Sequence, residues 1–193
     1  PVYNDWESLN KLLNEINENI KSFSENNFEC LIVNDASTIQ SPEFKKPSNF
    51  LSLEFLNMKE NRGHARCNAF GIRYVFQNKE FDNLILMDGD GEDRPEEIKS
   101  LIEKIKEDPS LSVVAKRVKR SEGLFFQSLY QLHKLITFIF TGKNINFGNY
   151  SLLTRSDVEK LYSKASLWSS YSGSVKRNLK SLNEINSCLL YTS

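Results

Sequence analysis

Histidine and cysteine are scarce in this chain, and their scarcity removes whole classes of function. Two histidines, His64 and His133, cannot build a multi-histidine metal centre. Three cysteines, Cys30, Cys67 and Cys188, are odd in number and widely spaced, so neither a disulfide scaffold nor a Cys-x-x-Cys zinc site fits. Charge of one sign is missing too: 25 basic and 25 acidic side chains cancel, which removes the general cationic field of a dedicated nucleic-acid binder. Long apolar runs are absent, and the longest uncharged one, Leu135 to Thr141, falls far short of the ~20 residues of a membrane span. From Pro1 onward no charged-then-apolar leader is visible. What is present is a 193-residue chain with 39% hydrophobic residues, enough to bury one core without covalent staples. Chemistry is left to carboxylates, backbone amides and arginines.

The apolar residues fall into alternating periods. Asp5 is placed to cap a helix carrying Leu9, Leu12, Leu13, Ile16 and Ile20 on one face. Phe28 to Val33 is a short strand running into the polar turn Asn34-Asp35-Ala36-Ser37. After a loop marked by Pro42 and Pro47, Phe50 to Leu56 forms a second strand. Ala65, Ala69, Ile72 and Phe76 recur at helical spacing, and Leu84 to Met87 reads as a strand buried on both faces. Pro95 opens a helix with Ile98, Leu101, Ile102 and Ile105 inward, and Val113 to Ala115 is another buried strand. A helix is expected from Leu124 to Phe140, and a capping box at Ser156 and Glu159 starts one more.

This alternation predicts βαβ units in an α/β, Rossmann-like, mostly parallel sheet flanked by helices. Ligands of such sheets sit beyond the carboxyl ends of the strands, where Asp35, Asp88 and Asp90 fall. The chain reads as an internal fragment: a domain over residues 1-165 and a C-terminal segment over 166-193. The end of that segment, Ser187 to Ser193, fits no period well; it is a buried strand or, the reading preferred here, a cloning or sequencing scar.

Six carboxylates crowd between Asp88 and Glu97 against one arginine, Arg94. Helix-start preference accounts for Glu96 and Glu97, with Asp93 as a cap. It does not account for Asp88-Gly89-Asp90-Gly91-Glu92 directly behind an apolar strand. Two carboxylates one residue apart repel unless a cation lies between them, and the glycines let the backbone approach a ligand closely. A hard divalent cation with substrate phosphates is the simplest partner. An EF-hand loop needs glycine where Asp93 stands, and a helix before it. A phosphatase of the haloacid-dehalogenase type needs threonine or valine where Glu92 stands. Nucleotide-sugar transfer, in which Asp-x-Asp holds a metal against a diphosphate, is the third reading.

Four motifs occur in order: Pro1-Val2-Tyr3-Asn4-Asp5, Ile32-Val33-Asn34-Asp35-Ala36-Ser37, Asn61-Arg62-Gly63-His64-Ala65 and Met87-Asp88-Gly89-Asp90. So arranged, the chain resembles the family-2 inverting glycosyltransferases of the GT-A fold, over Pro1 to about Leu161, and most of all their polyprenyl-phosphate sugar transferase branch. The resemblance implies that Pro1, Tyr3 and Asp5 line a nucleotide pocket, that Asp35 contacts base or ribose, and that Asn61, Gly63 and His64 lie near the nucleotide. It implies that Asp88 approaches the ribose and that Asp90, with Asp88, holds Mg²⁺ or Mn²⁺ against the diphosphate of a UDP- or GDP-sugar. Taken alone, Asp35 reads as a turn-former and His64 as a packed or exposed helix-start residue.

The run Lys116-Arg117-Val118-Lys119-Arg120 is a solvated face by default, but four cations at a strand's end suit phosphates, and the resemblance singles out Arg117 and Arg120. Phe126, Tyr130 and Phe138 lie outside the core face of the next helix and read as core packing or as an interfacial surface on lipid headgroups. The acceptor implied is a lipid phosphate or a cell-surface glycan, at the cytoplasmic face of the membrane with peripheral contact. Where the branch often places an aspartate, this chain has Asn149, which accepts no proton; a phosphate acceptor, already largely ionised, needs no strong base, and Asn149 then orients it. A strand normally precedes the residue matching Pro1 in this fold. Its loss would strip two strands of ladder partners, so a poorly stable or aggregating chain is expected. The competing function classes are the phosphatase and a nucleotide-binding remnant that never turns over.

Overall fold

The computed structural model describes residues 1–117 and 146–187. Helix α1 (Trp6–Ile20) starts where the Asp5 carboxylate accepts the Ser8 backbone N–H at 3.2 Å, and it buries Leu9, Leu12, Leu13 and Ile20 as their spacing requires. Strands β1 (Glu29–Asn34) and β2 (Ser52–Asn57) pair in parallel, Glu29 opposite Ser52 and Asn34 opposite Asn57. The expected second strand thus begins two residues later than Phe50, which is buried in the core instead, while Leu51 is exposed. Helix α2 (His64–Asn78) lies on β1 so closely that a Cβ on Gly71 would stand 2.8 Å from Val33 Cγ2.

The second sheet contains β3 (Asn83–Leu86), β4 (Val113–Arg117), β5 (Phe147–Thr154) and β6 (Asn183–Ser187), in the order β3-β5-β4-β6. Helix α3 (Glu97–Glu107) connects β3 to β4, and α4 (Arg155–Leu161), a 3₁₀ turn (Ala165–Trp168) and α5 (Tyr171–Asn178) connect β5 to β6. The α/β layout expected of the GT-A class is the one observed, with sheets flanked by helices. The larger sheet is mixed: β5 runs antiparallel to β3 and β4, and β6 runs parallel to β4.

Several local expectations change. Strand β3 ends at Leu86, before Met87, and its apolar residues are half-buried, because β3 is the outermost strand of its sheet. Helix α4 is capped by Thr154, whose hydroxyl accepts the Asp157 N–H at 3.2 Å, so Ser156 and Glu159 form no capping box. Ser187 is buried at the end of β6; residues 188–193 lie outside the described residues. The helix expected from Leu124 to Phe140, with its aromatic face, also lies outside them.

Burial alternates along the inner strands. Val113 and Ala115 of β4, with Tyr150 and Leu152 of β5, pack against Ile98, Leu101, Ile102 and Ile105 of α3. Val114, Phe147 and Leu153 face the other way, against Ile72, Val158, Leu161 and Val175. Each such side chain withdrawn from water contributes about 1.5–3 kcal/mol. Because helices α4 and α5 share this second core with α2, residues beyond 165 belong to the same packed unit. At the amino end Val2 N–H donates to Val33 O and Asp35 N–H to Val2 O, both at 2.9 Å, so the first residues run beside the carboxyl end of β1.

Candidate active site

The carboxyl ends of β1 and β3 open into one cleft of about 210 Å³, lined by Pro1, Tyr3, Asp5, Asp35, His64 and Cys67 and by the turn Asp88-Gly89-Asp90. Residues from four separate stretches thus meet at the place where strand polarity puts ligands in open α/β sheets. Close approach makes the turn after β3 specific. A Cβ on Gly89 would lie 2.4 Å from the Pro1 carbonyl oxygen, a backbone atom with little freedom to yield. Gly91 takes φ +78°, and the Asp90 carboxylate folds back to accept the Glu92 N–H at 3.0 Å. Asp93 is buried and accepts the Asp88 N–H at 3.0 Å. It therefore braces the turn; the N-cap position of α3 is held by Glu96, which makes no side-chain capping bond.

Asp88 is the hub. The register of β3 against β5, Leu86 opposite Ser151, carries on to place Asn149 across from it. The Asn149 amide donates to both Asp88 oxygens at 3.2 Å, and His64 Nε2 stands 3.2 Å from Asp88 Oδ1. The hydrogen bond to Asp88 raises the His64 pKa above its ordinary 6.5, against partial burial. Burial pushes the Asp88 carboxyl upward, but the His64 bond, its charge and the Asn149 bond together hold it below the ordinary carboxylate value. The two shifts share one cause: the Asp88 carboxylate and the His64 ring each favour the charged form of the other.

Asn68 completes this cluster. It lies one turn beyond His64 on α2, its amide nitrogen 2.9 Å from His64 Nε2, and its buried Oδ1 carries no hydrogen bond. The Asn149 amide nitrogen stands 2.6 Å from the same ring nitrogen, so Asn68, Asn149 and Asp88 all converge on His64 Nε2.

Asp35, 4% exposed, accepts the Arg62 N–H at 2.8 Å and the Gly63 N–H at 2.9 Å. It therefore ties the loop before α2 to the end of β1 while still lining the cleft. Gly63 reaches φ +84° there, and the Asn61 side chain accepts its N–H at 3.2 Å; these two shape the loop and do not line the cleft. Asp5 divides itself between capping α1 and the cleft wall, and Tyr3 stands 46% exposed. Arg117 ends β4 opposite Ser187, and Arg120 lies outside the described residues. Sequence reasoning missed Asn68, Cys67 and the bracing by Asp93. The four-residue step from His64 to Asn68 was the one available signal, because it sets both on one helix face.

Chemically the turn offers hard oxygen donors. Asp90 Oδ1 is used by Glu92, and Asp88 is held from one side by the amide and the ring. Among the described residues no group of three His, Cys, Asp or Glu side chains forms a cage for a metal ion. Two carboxylates beside an open cleft instead suit a Mg²⁺ or Mn²⁺ ion completed by waters and substrate phosphates.

Comparison with known proteins adds the following. The model of the family described as glycosyl transferase family 2 matches residues 1–170. An undecaprenyl-phosphate 4-deoxy-4-formamido-L-arabinose transferase of Salmonella choleraesuis is 30% identical over 158 residues, 81% of this chain and 46% of the relative. An uncharacterized glycosyltransferase of Bacillus subtilis, YkcC, is 30% identical over 129 residues, 66% of this chain and 38% of the relative. The chain therefore spans less than half the length of these relatives. A crystal structure of S. aureus TarS, residues 1-349, superposes with a TM-score of 0.58 at 17% identity, covering 98% of this chain and 56% of that one, a likeness of fold alone.

Proposed function

Since the chain belongs to glycosyl transferase family 2, we propose that it carries the donor site of an inverting transferase that moves a sugar from a nucleoside diphosphate to a polyprenyl phosphate. The observation that carries this reading is the cleft itself, where Tyr3, Asp35, His64, Asp88 and Asp90 converge at the carboxyl ends of β1 and β3. Its lining includes two carboxylates, Asp88 and Asp90, for a cation and an exposed aromatic ring, Tyr3, for a base. The undecaprenyl-phosphate transferase among its relatives supports the acceptor class.

Asp90 and Asp88 are the residues to hold Mg²⁺ or Mn²⁺, which when bound neutralises charge growing on the leaving diphosphate. Asn149 and His64 keep the Asp88 carboxylate charged and aimed. Asp35 fixes the loop at Gly63 so that the cleft is preformed before the donor enters. An oxygen of the acceptor phosphate forms the new bond to the anomeric carbon, while the bond from that carbon to the donor diphosphate breaks and the nucleoside diphosphate leaves with the electron pair. With its second pKa near ~6, the acceptor phosphate attacks as an anion, so no side chain has to remove a proton. That fits Asn149, whose amide serves Asp88 and cannot act as a base. Arg117 and Arg120 are assigned to phosphates, and the chain to work at the cytoplasmic membrane face; no described helix is long and apolar enough to cross a membrane.

The test incubates the chain with Mn²⁺, undecaprenyl phosphate and a panel of UDP- and GDP-sugars. Release of nucleoside diphosphate that depends on the lipid phosphate, with an inverted anomeric configuration by NMR, is the expected result. Release of inorganic phosphate without any nucleotide-sugar requirement would instead establish the phosphatase reading.

A further inference from the structure

Asn4 does not line the cleft, yet both of its neighbours, Tyr3 and Asp5, do. Its backbone sits at φ +58°, a left-handed conformation that turns the chain between these two wall residues. The side chain is spent entirely on the loop after β1. Asn4 Oδ1 accepts the N–H groups of Thr38 at 2.8 Å and Ile39 at 2.9 Å, and Nδ2 donates to Thr38 Oγ1 at 3.0 Å. The Asn4 N–H donates to Ser37 Oγ at 2.9 Å. Trp6 fastens the same loop by donating Nε1–H to Ile39 O at 3.0 Å. Opposite this clamp Ala36 also adopts a positive φ of +55°, directly after Asp35. Two left-handed corners therefore face each other across four bonds, and each is adjacent to a cleft residue.

From this geometry we infer that Asn4 is a positioning residue for the nucleotide: by locking residues 37–39 it holds Tyr3 and Asp35 at a fixed separation, and so sets donor affinity without touching the donor. The inference rests on the donor-site reading above. Asparagine suits the task because it tolerates the left-handed region and offers an acceptor and a donor from one planar group. Aspartate in its place retains the two accepted N–H bonds and loses the donation to Thr38. Alanine loses all three side-chain bonds and keeps the unfavourable φ. Asn4 forms no part of the cleft lining, so loss of the clamp falls on binding.

The experiment compares the full chain with Asn4→Ala and Asn4→Asp. UDP and GDP binding is measured by titration calorimetry with Mn²⁺, loop release by the rate of trypsin cleavage at Lys45, and folding by far-ultraviolet circular dichroism. Expected are faster cleavage and about tenfold weaker nucleotide binding in Asn4→Ala, with kcat at saturating donor changed by no more than about twofold, and near-complete recovery of affinity in Asn4→Asp. A folded Asn4→Ala or Asn4→Asp variant with a released loop and unaltered nucleotide affinity overturns the positioning role and leaves the donor-site reading standing. Failure of the parent chain itself to bind either nucleotide removes the donor-site reading and the inference with it.

Discussion

Two aspartates at opposite ends of the second sheet, Asp157 buried and Asp88 half-buried, show how differently the same side chain can be used. Asp157, in the first turn of α4, is 4% exposed and accepts the Ser112 hydroxyl at 2.6 Å and Lys160 Nζ at 2.7 Å. Ser112 Oγ accepts the Thr154 N–H at 3.1 Å, and Thr154 caps the helix, so the network closes on itself. Asp88 instead receives an amide from β5 and an imidazole from α2, and its turn opens into a cleft. One carboxylate is satisfied by its own neighbourhood and serves folding. The other is held charged by an imidazole and an amide beside an open cleft, an arrangement that folding alone does not require.

If that contrast is right, deleting each carboxylate should damage a different property. Asp88→Ala should lower turnover by about 100-fold while leaving most of the stability intact, as measured by steady-state kinetics and urea unfolding. Asp157→Ala should do the reverse: it strands the buried Ser112 hydroxyl and costs about 1–3 kcal/mol in the same unfolding experiment, with nucleotide affinity of the folded fraction unaffected. Equal losses of both properties in both variants would erase the distinction.

Smaller changes sharpen it. Ala36 stands at φ +55° on the cleft side, a conformation that disfavours any residue with a Cβ, whereas no non-glycine residue of the α4 network is so strained. Ala36→Gly should raise stability by about 0.5–1 kcal/mol in urea. The smallest effect concerns protons. Because the folded His64 pKa is raised, its contribution to stability is complete below the ordinary value of 6.5 and is lost as pH rises through the folded value. NMR titration of the metal-free protein should place His64 above 6.5, and Asp88→Asn should bring it down; an unmoved value would mean that Asp88 is not its partner.

The apolar spacing alone was enough for α1, α3 and the β1 and β4 strands, because a buried stripe with period 3.6 or 2 leaves a direct trace. Strand β6 left none: Ile185 is its one apolar residue, and alternate positions are exposed. The antiparallel entry of β5 also had no signature, since direction is set by how the chain returns, not by the strand's own residues. In the site, Asp35, Asp88 and Asp90 stood out because carboxylates and glycines at strand ends demand an explanation. Asn149 acquires its meaning from Asp88, 61 residues away in sequence, and a neutral amide gives no sign of this by itself. Asp35 was legible as a cleft residue, while its grip on Arg62 and Gly63 became visible only in three dimensions.

The most direct test is calorimetric titration of the parent chain and of Asp90→Asn with UDP and GDP, each with and without Mn²⁺. The account predicts that Mn²⁺ strengthens nucleotide binding to the parent by about tenfold or more and that Asp90→Asn abolishes this enhancement while remaining folded. Identical Mn²⁺ enhancement in the parent and in Asp90→Asn would contradict it.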